Sequence, residues 1–224
     1  MKNKLSNSIL VLLMLVMAYS CKDTKKSETS EVKETKEFSE TAVAYNVNLD
    51  ESTINWQGSK PAGIHYGEID LKEGSIMVNN GVIEGGNFTI DMTSIKVKDL
   101  EGQDKKDLEN HLMGYSNGKE DHFFNASEYP EAKFVITSIN NVDRSLILSG
   151  NLTLKETSKN ISFPVGMSFN EDEGVMEFIS DEIVIDRTEW GIKFMSKSFI
   201  ENLGDNFVSD AMKISFNLKA NKAE

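Results

Sequence analysis

The chain has 224 residues, of which 39% are hydrophobic and 27% charged, with a formal net charge of −12 at pH 7. That acidity excludes nucleic acid as a partner, because a polyanion needs a basic face to dock on. One cysteine, Cys21, excludes an internal disulfide framework, and the hydrophobic content is that of a chain able to bury one core.

The first residues place Lys2 and Lys4 before an apolar run, Ile9 to Met17, closed by Ala18-Tyr19-Ser20-Cys21. This pattern predicts a secretory signal peptide over 1–20, too short for a comfortable membrane span. A small residue just before a lone cysteine resembles the lipobox at which bacterial lipoproteins are cut and acylated. Cys21 is therefore expected to be the lipidated first residue of the mature chain, whose net charge without Lys2 and Lys4 is −14. Acyl chains at Cys21 would supply the membrane attachment, since an acidic domain is repelled by anionic head groups. Lys22 after the cysteine points to the outer membrane, facing periplasm or exterior. Residues 21–40 alternate Lys, Glu, Ser and Thr, with Val32 and Phe38 the large apolar exceptions. Such a segment buries too little to repay its ordering and reads as a solvated tether.

From 41 to 224 the period-2 signal dominates, which predicts one all-β domain. Phe88, Ile90 and Met92 alternate with polar residues, as do Leu148, Leu152 and Leu154. Phe163, Val165 and Met167 continue the pattern, and Ile214 and Phe216 carry it through the last strand. Turn-forming residues at Asn79-Asn80-Gly81, Asn141-Val142-Asp143 and Glu171 to Gly174 predict hairpins in an up-and-down antiparallel sheet that closes to remove its edges. Two helical interruptions are expected: Leu108, His111 and Leu112 within 99–115, over one barrel end, and a turn over Ser198 to Leu203 ended by Gly204.

An interior of Leu, Ile, Phe, Val and Met either fills a barrel or leaves a cavity, and composition does not choose between them. Methionines such as Met92 and Met167 suit an adaptable pocket and ordinary core filling equally. Chemistry is poorly represented. His65, His111 and His122 lack metal-ligand spacing, so neither a metal nor another cofactor is expected, and no nucleophile elbow, P-loop or dinucleotide fingerprint occurs. Arg187, one of two arginines, follows Ile183-Val184-Ile185 and precedes Trp190; it suits either an ion pair with Asp186 or Glu189 or a fork gripping a ligand head group.

His122-Phe123-Phe124-Asn125 followed by Tyr129-Pro130 and Phe134 resembles the signature of the YceI-like lipid/polyisoprenoid-binding family. Gly150 to Leu154, Ile185 to Ile192 and the closing strand from Asp210 fit the same family in order, across 45–220. The resemblance implies a lipocalin-like closed barrel whose tunnel holds a long isoprenoid or similar lipid without catalysis. On that reading Phe88, Ile90, Met92, Phe134, Ile136, Leu148, Leu152, Phe163, Met167, Ile214 and Phe216 are tunnel candidates, with Arg187, Trp190 and His65 at the head group. The competing readings are an envelope adhesion module with a filled barrel, and a hydrolase or redox enzyme, for which no convergent constellation is visible. Replacing Cys21 with Ser is expected to release the domain into the soluble fraction; retention on membranes after carbonate washing would count against acylation.

Overall fold

The computed structural model describes residues 26–223; the expected signal peptide and Cys21 lie outside them. Thirteen strands form in chain order among these residues. They are β1 (Thr29–Ser30), β2 (Val43–Val47), β3 (Thr53–Lys60), β4 (Gly63–Ile69), β5 (Leu71–Asn79), β6 (Val82–Asp91) and β7 (Lys96–Val97). After the helix α1 (Gly102–Met113) come β8 (Glu131–Val142), β9 (Ser145–Leu154), β10 (Thr157–Asn170), β11 (Val175–Ser180), β12 (Ile183–Asp186) and β13 (Ala211–Lys222).

Eight of these close into an antiparallel ring in the order β10, β9, β8, β6, β5, β2, β13, β11 and back to β10. Closure removes the unpaired edge that an open sheet of half-buried strands would present. β13 is shared by both faces of the seam: β11 and β12 pair along one edge, β2 and β3 along the other. From β3 the sheet extends to β4 and β7. The expected up-and-down barrel is therefore present, with this side branch added.

Local chemistry accounts for the turns. The β5–β6 hairpin reverses at Asn80-Gly81, both at positive φ, as a turn matching strand twist requires. The β8–β9 hairpin reverses at Asp143-Arg144, one residue later than the sequence suggested, again with positive φ at both positions. α1 ends at Gly114 in the left-handed region, whose N–H returns to the helix carbonyls. The segment Ser198 to Leu203 forms turns rather than a regular helix; the Ser196 hydroxyl accepts from Ser198 N–H and Ser198 Oγ donates to Asp210.

Residues 26–33 are docked on the barrel, whereas 34–40 remain exposed, as expected of a solvated tether. β1 pairs with β10, Lys26 bridges to Val184 of β12, and Lys26 Nζ meets Asp186 at 2.7 Å. This strap bridges β10 and β12 where those two strands are not paired. Asn151 holds it from the outer face, accepting from Lys33 N–H and donating to Lys33 O, while Asn160 donates to Asn151. Backbone pairing and buried amides outweigh a composition that by itself favours solvent.

Close backbone approach is decisive at Gly67, where a Cβ would fall 1.8 Å from the Lys96 carbonyl oxygen across the β4–β7 pair. Gly67→Ala is expected to destabilise the fold by about 1–3 kcal/mol through overpacking against backbone. Gly58→Ala in β3, where a Cβ meets open space, is expected to stay within about 0.5 kcal/mol. Urea denaturation of both variants checks the pair.

Candidate functional site

The inward faces of the strands do not meet. They enclose a cavity of about 190 Å³ whose lining is apolar apart from Arg187 and Ser209. Phe134, in the lining, lies over Gly150 of the neighbouring strand, which carries no side chain; a Cβ there would fall 2.2 Å from the Phe134 ring. Rings then follow one another across the interior, with centroids 6.3 Å apart for Phe88–Phe134, 5.9 Å for Phe134–Phe163 and 6.0 Å for Phe163–Phe216. The first two pairs are tilted, with interplanar angles of 41° and 39°, and the third is edge-to-face at 75°. Phe134, Ile214 and Phe216 point inward yet remain only partly buried, as expected where the interior is incompletely filled.

Of the residues proposed for a tunnel, Phe88, Ile90, Met92, Phe134 and Ile136 all line this cavity, and so do Leu148, Leu152, Phe163, Ile214 and Phe216. Met167 does not. It is 43% exposed on the half of β10 that pairs with β11, beyond the cavity. Alternation fixes the face of a strand a side chain occupies and leaves its height open. Other lining residues escaped the sequence reading: Ile54, Trp56 and Gly58 alternate along β3, Leu112 descends from α1, and Phe123 and Phe124 reach in from the segment before β8. The Ile54-x-Trp56-x-Gly58 pattern carried the necessary signal.

Arg187 lines one end of the cavity and is 3% exposed. Neither expected ion pair forms, since Lys26 lies 2.7 Å from Asp186 and 3.7 Å from Glu189. Instead the guanidinium clips its own chain. Nε donates to Ser209 O at 2.9 Å, Nη1 to Ile192 O at 2.6 Å, and Nη2 to Phe194 O and Val208 O at 2.8 and 3.0 Å. Burial pushes its proton affinity down, while the carboxylates of Asp210, 3.6 Å away, and Asp186 oppose that. Four of its five N–H groups are thus spent on backbone carbonyls.

The other two head-group candidates lie elsewhere. Trp190 ends a 3-10 turn, Arg187–Trp190, that Asp186 caps. It is 1% exposed and donates from Nε1 to Leu152 O at 3.0 Å, fastening this segment to β9 outside the cavity lining. His65 on β4 is also absent from the lining; its Nδ1 lies 2.7 Å from Asp99 Oδ2. Burial raises the Asp99 carboxyl, but bonds from Tyr66 N–H and His65 outweigh it and hold the group below its usual range.

The fold does bring His111 and His122 together, with Nε2 and Nδ1 2.8 Å apart. Phe194 stacks on His122 at 3.9 Å and Phe123 meets His111 edge-on at 5.3 Å. Burial pushes His111 down from its ordinary value, with the neighbouring His122 and Lys119 adding to it. A ring N–H of one imidazole can donate to the bare nitrogen of the other, so the pair joins α1 to the segment leading into Phe123 and Phe124.

Residues 45–220 match the YceI-like domain family. Among curated proteins no sequence matches the chain. Among solved structures, a polyisoprenoid-binding domain from Saccharophagus degradans implicated in plant cell wall breakdown is 15% identical, with a TM-score of 0.55, covering 81% of this chain and 99% of that one. The YceI protein of Campylobacter jejuni is 21% identical, with a TM-score of 0.48, over 70% of this chain and 85% of that one.

Arg187→Lys retains the charge and loses the fork. It is expected to leave most of the four carbonyls unpaired and to cost about 3 kcal/mol or more in urea denaturation. An unchanged midpoint would remove the clip from this account.

Proposed function

The chain belongs to the YceI-like domain family, and we propose that it binds an isoprenoid or other long-chain apolar lipid inside the barrel, without chemistry, for carriage or storage in the cell envelope. The observation that carries this reading is the unfilled apolar interior. Engineered apolar cavities of about 150 Å³ stay dry and admit benzene, so a void of this size favours an apolar occupant over water. The Saccharophagus domain binds polyisoprenoids, a ligand class as apolar as this interior. Attachment through acylated Cys21 would keep such a ligand near the bilayer.

The magnitudes allow useful affinity. Burying ~500 Å² of isoprenoid surface contributes about 12 kcal/mol gross. Lost translational freedom and chain ordering offset about 4–15 kcal/mol of that. Because drug-sized ligands fill pockets of roughly 300–1,000 Å³, a full polyprenyl chain must also displace lining side chains, and the partly buried Phe134, Ile214 and Phe216 are placed to yield.

Mass spectrometry of lipids released from the natively purified protein tests occupancy directly. Ile214→Trp adds bulk to the lumen and is expected to leave thermal stability close to that of the parent while lowering co-purified lipid. A variant destabilised by roughly 1–3 kcal/mol, as overpacking of a solid core requires, in a protein with no lipid to lose would defeat the carrier reading.

A further inference from the structure

The backbone between the two feet of the Arg187 clip, residues 193–208, contains neither helix nor strand, yet it is firmly held. Ser196 is fully buried, its carbonyl accepts from Phe199 and Ile200 N–H, and Val208 N–H donates to Met195 O. On this ordered base the segment presents adjacent apolar side chains to solvent, Phe199 at 52% and Ile200 at 42% exposure. Lys193 Nζ lies 4.3 Å above the Phe199 ring and Lys197 Nζ 3.8 Å above the Phe207 ring. Lys193 and Lys197 are balanced by Glu201 and Asp205, so the segment is neutral within a chain of net charge −12.

An ordered, exposed apolar tip suits an apolar partner, and two observations select a bilayer. First, Val208 and Ser209, at the second foot, line the cavity, so a partner at the tip sits beside the cavity's end. Second, the chain enters at this same end: Lys26 bridges to Val184 and pairs with Asp186, the residue before Arg187. Cys21 precedes Lys26 by five residues, at most about 18 Å of extended chain. Aromatic and aliphatic side chains entering the acyl boundary, with lysine stems snorkelling to the phosphates, are the chemistry of interfacial docking.

The geometry points to residues 193–208 as a membrane-docking tip, with Phe199 and Ile200 inserted into a phospholipid bilayer so that the cavity's end lies against the acyl region from which its ligand is drawn. This deepens the lipid-binding reading and rests on it for the identity of the cargo. Because the segment is neutral, insertion is apolar and needs no anionic lipid, so it persists on phosphatidylcholine and at high salt.

The acylated full chain carrying Phe199→Trp, reconstituted on phosphatidylcholine vesicles with brominated acyl chains, tests the contact. The indole at 199 is expected to emit at shorter wavelength and to be quenched, whereas the parent and Val82→Trp, exposed at the β5–β6 turn, are not. In the doubly substituted Phe199→Ser, Ile200→Ser protein, uptake of radiolabelled geranylgeraniol from vesicles is expected to slow at least about tenfold, with uptake from aqueous dispersion unchanged. An unquenched, solvent-exposed indole at 199 overturns the docking tip even if geranylgeraniol binds. Loss of a dimer on double substitution, read by light scattering, overturns it in favour of self-association. Quenching without any uptake of geranylgeraniol by the parent leaves the docking tip supported and removes the lipid-carrier reading instead.

Discussion

A guanidinium placed where water scarcely reaches organises one end of this barrel. The carbonyls of Ile192, Phe194, Val208 and Ser209 belong to chain that joins no strand, and buried carbonyls without partners are costly. Arg187 supplies donors to all four from one planar group, which draws together the start and finish of an excursion that would otherwise stand open. Phe123 and Phe194 then pack beside it, and the imidazoles of His111 and His122 pack against Phe194. Removing the charge from water is tolerated because Asp210 and Asp186 stand close enough to oppose the effect of burial.

That fixed end matters because an eight-stranded ring is near the size at which side chains can fill it or leave room for one small ligand. Here large rings alternate with glycine: Phe134 occupies the space above Gly150, and Gly74 makes room for Val47 and Phe88. The outcome is a remaining void. At roughly 24 cal/mol per Å³, a cavity of about 190 Å³ costs the empty protein on the order of 5 kcal/mol. Against a net stability of about 5–15 kcal/mol for a folded domain, an apolar occupant offsets a substantial fraction.

Sequence alternation revealed the wall of the barrel because each half-buried strand announces its inner face without reference to its neighbours. Phe88, Leu152 and Phe216 could be assigned to the interior on that ground. The same rule misled at Met167, since β10 runs past the cavity and keeps its alternation there. Residues acting through distant partners were less legible. Trp190 reads as available for a ligand, but its indole N–H donates to the Leu152 carbonyl, and Arg187 reads as the partner of an adjacent carboxylate, but Lys26 takes Asp186. Polar composition likewise concealed the strap at 26–33, whose order comes from pairing with β10 and β12 and from the Asn151 amide.

The position of β13 has a kinetic consequence. Val47 pairs with Ala220 and Trp56 with Ile214, so strands formed near the beginning of the domain find their partner only in its final stretch. β11 and β12 wait for the same strand. Such long-range pairing slows folding, because loop closure must precede the contacts that repay it. A chain emerging N-terminus first therefore holds four strands with an open edge until residues 211–222 arrive, exposed meanwhile to pairing with other chains. A truncation before β13 would leave no ring at all, and the enclosed volume comes into being only with the last strand.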